Sequence, residues 1–226
     1  MPKVIKKRSE KRDGSDEGLR GTVEDIRYRI KERQRTLIIG LAIFLVLLVS
    51  VGAFFIYSKS QSDESTRLQR EAYRLFYNEN VTQPAMVGEN YKKALELYRK
   101  SYAVKKKVDV LLYIAYCQYE LGSYDEAIKS LKELTETFAD SRIIPLAYYK
   151  LAETYLKKGD TINALAALNT LSTLQDGIFH DMALMESGKI LEAQGKTEEA
   201  KAKYKDLVTK YPNSALVAEA KARLAE

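Results

Sequence analysis

The chain has 226 residues, with 37 Lys and Arg against 31 Asp and Glu for a net charge of +6, 46% hydrophobic side chains and four prolines. The positive excess is local: residues 1–36 hold 12 cations and 7 anions, which leaves 25 and 24 for residues 37–226. A nearly neutral folded part argues against a nucleic-acid-binding domain, which needs a basic face to neutralise phosphates; one Cys forms no intramolecular disulfide, and one His with one Cys supplies no Cys/His zinc site.

Residues 1–20 combine high charge density with two glycines and few apolar side chains, so a disordered basic tail is expected over 1–21. In the next stretch, TVEDIRYRIKERQR, Thr22 and Asp25 have the spacing of a capping box. Val23, Ile26 and Ile30 share one helical face among arginines, which predicts a juxtamembrane amphipathic helix over 22–35. Its cations are read as fixing topology and contacting anionic lipid; a cytoplasmic partner or a degradation signal is the other reading.

Thr36–Ser58 is a run of 23 residues without a charge, and at about 1.5 Å per residue it reaches roughly 34 Å, enough to cross a hydrocarbon core of about 30 Å. A transmembrane helix is therefore expected over 36–58, with Tyr57 at the interface. Globular core helices of this length keep a polar face, which this run lacks. A cleaved signal peptide has a short basic start and an apolar run of about 7–15 residues. Here the start is long and partly acidic, although Ser58 and Ser60 weakly imitate a cleavage site. Arg27, Arg29, Lys31, Arg33 and Arg35 precede the run, while Lys59 is followed by Asp63 and Glu64. The positive-inside rule then leaves the amino terminus in the cytoplasm and residues 62–226 outside, which in a bacterium is the periplasm.

Residues 62–80 and 89–103 read as two helices, the second with Ala94 and Tyr98 at core positions, joined by the irregular loop VTQPAMVG with Pro84 and Gly88. Three longer units follow. In each, a Gly precedes an Ala by five residues: Gly122/Ala127, Gly159/Ala164 and Gly195/Ala200. Seven residues before each Gly stands Ala115, Ala152 or Gly188, and seven after each Ala stands Leu134, Leu171 or Leu207, at a period of 37 and then 36. Small residues let two helices approach closely, and a Gly in the left-handed region ends the first of them. Leu111, Ile114, Tyr148, Leu151, Tyr155, Leu184 and Leu191 are the first-helix core positions, and Ile128, Leu131, Leu168 and Tyr204 the second-helix ones. Stacked neighbours bury what no single unit can, so an all-α solenoid of about 3.5–4 helix-turn-helix repeats is expected. It closes on a capping helix in SALVAEAKARLAE, started by Ser214, with Leu216, Ala220 and Leu224 on one face. Cys117 falls at a buried helical position, read as a small apolar side chain with a free thiol as the alternative.

These units resemble the tetratricopeptide repeat. Gly188, Gly195, Ala200, Tyr204 and Pro212 stand at the motif's small, turn, small, aromatic and proline positions, and the closing phrase YPNS is typical. The chain lacks the motif's Trp, and its first two units lack the closing Pro. The resemblance implies a groove along the first helices. It would carry Asp109, Leu112, Tyr116, Tyr119 and Glu120, then Leu146, Tyr149, Glu153 and Leu156, then Met182, Met185, Lys189 and Glu192. The Lys/Asn clamp for a terminal carboxylate is absent, and the aromatic and Met side chains suit apolar segments of varied sequence. Packing against the neighbouring helix is the alternative role for any one of them.

No nucleophile paired with a base appears, and Gly88, Gly122, Gly159 and Gly195 are too isolated to cradle a phosphate. His180 lies in the inter-repeat loop DGIFH, where a helix-start or packing role is expected, and Glu198 and Glu199 read as solvated surface. The expectation is a binding protein and not an enzyme, without cofactor, metal or small-molecule substrate. The organisation of residues 20–226, strongest over 108–212, resembles the YfgM-like ancillary subunits of the SecYEG translocon. That resemblance implies an inner-membrane scaffold with translocon subunits, periplasmic chaperones or exported chains as partners. A cell-division-associated adaptor is the second reading, since that family's repeats end on a similar YP-S phrase, and a homo-oligomeric scaffold is the third.

Overall fold

The computed structural model describes residues 15–77, 86–175 and 177–225, with side chains from residue 21 onward. Among the described residues it has nine α-helices and no strand: α1 (Ser15–Phe76), α2 (Val87–Val104), α3 (Val108–Glu120), α4 (Tyr124–Thr137), α5 (Ile144–Lys157), α6 (Thr161–Thr173), α7 (His180–Ala193), α8 (Thr197–Lys210) and α9 (Val217–Ala225). They form two compact units, Met1–Lys59 and Ser60–Glu226.

In the first unit α1 starts at Ser15, inside the segment expected to be disordered, while residues 1–14 lie outside the described residues. Thr22 is therefore internal to the helix and caps nothing at its start. Asp25 instead pairs with Arg29 one turn on, at 3.4 Å. Every residue from 21 to 59 is exposed, so the apolar run from Leu37 to Tyr57 has no protein core to pack against. By length and composition this helix is able to cross a membrane.

In the second unit the helices pair as the spacing predicts: α3 with α4, α5 with α6 and α7 with α8, each pair also touching the next. The glycine turns are three copies of one device. Gly122, Gly159 and Gly195 have φ of 74°, 81° and 74°. The amide after each reaches back to the helix it closes, Ser123 to Gln118 at 2.8 Å, Asp160 to Tyr155 at 2.9 Å and Lys196 to Leu191 at 2.9 Å. Asp160 additionally caps α6 by accepting the Asn163 amide at 3.1 Å.

Ala115, Ala152 and Gly188 in the first helices and Ala127, Ala164 and Ala200 in the second are all buried. The closest approach is in the third pair. A Cβ placed on Gly188 would sit 2.3 Å from Cε1 of Tyr204, far inside contact distance. The Tyr204 ring has no room to retreat, because it is itself buried and its hydroxyl donates to Glu192 at 2.8 Å. The corresponding buried pairs one and two repeats earlier are Ala152 with Leu168 and Ala115 with Leu131, so the smallest residue accompanies the largest partner.

The degenerate first repeat is built differently. From Ser60 on, α1 meets α2 through two fully buried serines: the Ser101 hydroxyl donates to the Ser65 carbonyl at 2.8 Å, and the two hydroxyls lie 3.0 Å apart. The expected helices shift at their ends, since α1 stops at Phe76, and α2 begins at Val87 and takes in Gly88; residues 78–85 of the expected helix and loop lie outside the described residues. Leu216, Ala220 and Leu224 pack onto the α7–α8 core as a closing element. Ser214 precedes that helix by a turn and holds the Leu216 amide at 3.1 Å. Pro212 is exposed, so its part is to stop α8 after Lys210, not to pack between repeats.

Gly188→Ala is expected to destabilise the Ser60–Glu226 unit by about 1–3 kcal/mol through overpacking, and Gly188→Ala with Tyr204→Leu to recover much of the loss by recreating the Ala–Leu pairing. Urea unfolding followed by circular dichroism measures both; equal stability of the single variant and the parent would contradict the close contact.

Candidate functional site

The first helix of each pair, with α9 after them, lines one face of the second unit, and neighbouring members touch across it. Gln69 of α1 donates to Asp109 of α3. Lys150 of α5 lies over the α3 rings, its Nζ 3.8 Å from the Tyr119 centroid and 5.2 Å from that of Tyr116. Lys189 of α7 pairs with Glu219 of α9 at 3.2 Å, and Arg223 of α9 returns to Glu192 of α7 at 2.7 Å.

Where α3, α5 and α7 meet, the face deepens to a cleft of about 450 Å³, lined by Tyr119, Tyr149, Glu153, Leu156, Lys157 and Glu186 over a floor of Ala152 and Leu168. Tyr119, Tyr149, Glu153 and Leu156 are expected groove residues, and the structure brings them together. Tyr116 adjoins them through Lys150. Lys189 lies at the next step, paired with Glu186 at 3.2 Å, and half-buried Met182 is close in sequence on α7. Asp109 is held by Gln69, Glu120 is exposed, Leu146 is half-buried against the core, and Glu192 is engaged by Tyr204 and Arg223.

Two expected groove residues are corrected. Leu112 is 5% exposed and Met185 1%, and both belong to the apolar core. Each turns to the neighbouring helices and not to the groove, because the stripe that the motif assigns to ligand is wider than the face these helices leave open. Tyr148, expected in the core, is only half-buried.

Lys150 is the main residue that reading for aromatic positions missed. Its side chain is 17% exposed, salt-bridged to Glu153 at 3.1 Å and seated on two tyrosine faces, so the ammonium is fixed in place by charge and ring quadrupole together. The i, i+3 pairs Lys150/Glu153 and Glu186/Lys189 were the available signal in the sequence. Phe179 was also missed. It takes the left-handed φ of 62° just before α7 and stacks on Tyr149 at 5.9 Å, behind the cleft lining. The neighbouring His180 is buried at the start of α7, with Nδ1 3.0 Å from the Tyr211 hydroxyl, a packing role as expected. Among the described residues no group of three or more His, Cys, Asp or Glu is placed to hold a metal ion.

With three helix pairs, their closing glycines and a capping helix in place, the family model of the tetratricopeptide repeat-like domain matches residues 30–224. The chain belongs to the tetratricopeptide repeat-like domain family. Such domains are protein-interaction scaffolds, and an open first-helix face fits that description. Among solved structures, a crystal structure of MamA superposes with a TM-score of 0.52 at 18% identity, covering 72% of this chain and 85% of that one. A second MamA structure gives 0.51 at 16% identity over 71% and 79%. YrrB, described as a TPR protein with an unusual peptide-binding site, gives 0.47 at 17% identity over 60% and 71%. At these identities the likeness is one of fold. No protein of curated function matches the sequence.

The tyrosines of this tetratricopeptide repeat-like unit also set its response to alkali. Burial, reinforced by Glu153, pushes the Tyr116 hydroxyl up to about 12; burial and the bond to Glu192 do the same for Tyr204, and burial lifts the Cys117 thiol to about 12. Tyr119 and Tyr149 are raised by burial and then by Glu153. Each group is neutral when protonated and holds its proton more tightly when folded, so its contribution is intact below the unfolded value, 10.0 for Tyr, and is lost as pH rises through the folded value. Unfolding between about pH 10 and 12 is expected, with the late tyrosines ionising in step with loss of helix. Tyrosinate absorbance recorded alongside circular dichroism tests this; titration of all 16 tyrosines near 10 with helix retained would contradict it.

Proposed function

We propose that the chain is a single-pass scaffold of the bacterial inner membrane, with its amino terminus in the cytoplasm and its repeats on the periplasmic face, where it associates with the Sec translocon and periplasmic chaperones and holds a partner or an emerging exported segment. The observation that carries the binding role is the cleft between α3, α5 and α7, where Tyr119 and Tyr149 stand over Ala152 and Leu168 and both carboxylates, Glu153 and Glu186, are already paired with lysines. Tyrosine faces with both carboxylates already paired suit apolar segments of varied sequence, while exposed Lys157, which has no carboxylate partner among the described residues, is free to meet an acidic group of the partner.

The membrane assignment is supported by the apolar run of α1, wholly exposed within its unit, and the orientation by five cations on one flank against Lys59 on the other. The family match begins at residue 30 and so takes in the apolar run together with the repeats. The translocon assignment rests on the likeness in organisation to the YfgM-like subunits.

Affinity purification of the full chain in mild detergent tests the partners. Translocon subunits or periplasmic folding factors are expected to co-purify, and Tyr149→Ala, which opens the wall of the cleft, to reduce their yield several-fold while leaving the protein in the membrane. Absence of both partner classes from the purified material would refute the assignment.

A further inference from the structure

Arg27, Arg29, Lys31, Arg33 and Arg35 occupy nine residues of α1, with Glu32 the one acid among them, and all five are exposed. At about 100° per residue they form two stripes on opposite sides of the helix, Arg27, Lys31 and Arg35 on one and Arg29 and Arg33 on the other. Arg29 has a partner in Asp25, at 3.4 Å; among the described residues the other four cations have no carboxylate partner.

Position along the axis is as informative as angle. At about 1.5 Å per residue, Lys31, Arg33 and Arg35 fall within roughly 7.5 Å of Thr36, where the uncharged run begins. That matches the polar layer of a bilayer, about 5–7 Å on each side of its hydrocarbon core. Arg29 and Arg27 follow within about 10–14 Å, near one further Debye length. A protein docking on this helix would cover one side and meet one stripe. Cations on both sides, at headgroup depth, match surroundings that enclose the helix, as a headgroup layer does.

We propose that Arg27–Arg35 form a collar that binds anionic phospholipid headgroups, so that the chain gathers anionic lipid around its amino-terminal flank. The proposal rests on the membrane-anchor reading and adds to it a ligand and a selectivity. Each phosphate would lie between cations one turn apart, such as Lys31 and Arg35 or Arg29 and Arg33, and the flexible side chains reach it without any change in the backbone.

The test uses the full chain reconstituted into phosphatidylcholine vesicles with a minor fraction of phosphatidylglycerol, where insertion no longer depends on cellular sorting. Spin-labelled phosphatidylglycerol and phosphatidylcholine report the lipid held next to the protein. An anionic preference of about three- to tenfold is expected, falling toward one at about 1 M salt, where the Debye length is about 3 Å. Arg27→Gln with Lys31→Gln and Arg35→Gln should remove part of it, Arg29→Gln with Arg33→Gln another part, and all five together the whole. Insertion with equal association of both lipids would overturn the collar and leave the anchor standing, as would a preference that resides entirely in one stripe. Failure of the chain to insert into any vesicle would overturn the anchor reading itself.

Discussion

The structure depends on how closely two helices are allowed to approach. In the third repeat the allowance is at its limit: Gly188 has no Cβ because the Tyr204 ring occupies that space. Where the second-helix residue is Leu131 or Leu168, an alanine suffices in the first. In the degenerate repeat two serines fill the same need and satisfy each other's hydroxyls inside the core. From this constraint the architecture follows. Tight pairs need a sharp turn, which the left-handed glycines provide, and pairs of equal geometry stack so that their first helices share one face.

That face carries the cleft proposed as the binding site. Most of its charges are consumed internally, Lys150 by Glu153 and the tyrosine rings, Lys189 by Glu186 and Glu219, and Arg223 by Glu192. What remains for a partner is a mixed surface of tyrosine and aliphatic side chains with hydroxyls and exposed Lys157 at its edge. In the other unit, four of the five exposed cations along Arg27–Arg35 have no carboxylate partner among the described residues. Most of the net charge of the chain therefore belongs to residues 1–36, ahead of the apolar run, and says nothing of the groove.

The sequence carried the repeats clearly because the turn glycines and the seam residues recur at fixed spacing, and each recurrence has one physical cause. The long apolar helix was equally legible, since 23 residues without a charge form a run able to cross a membrane. Ser214 and Thr22 show the limit of cap motifs: the chemistry of a cap was present, yet α9 starts a turn later than Ser214 and α1 runs through Thr22. The groove was legible in part. Tyr119, Tyr149 and Glu153, placed by resemblance to the motif's ligand-facing positions, line the cleft, but Leu112 and Met185 occupy the margin of the same stripe, and only the packing of neighbouring helices decides that they point inward. Lys150 and Phe179 owe their roles to contacts between repeats, with Tyr119 and Tyr149 respectively, and no local pattern encodes such a contact.

The central claim is that partners are held on the first-helix face. Site-specific photocrosslinking in living cells tests it most directly, with the crosslinker placed at Tyr116, at Tyr149, and at Ile162 on the outer helix α6, which is 79% exposed. The account predicts that the same partner is captured from Tyr116 and Tyr149 and not from Ile162. Capture from Ile162, with none from the two tyrosines, would contradict it.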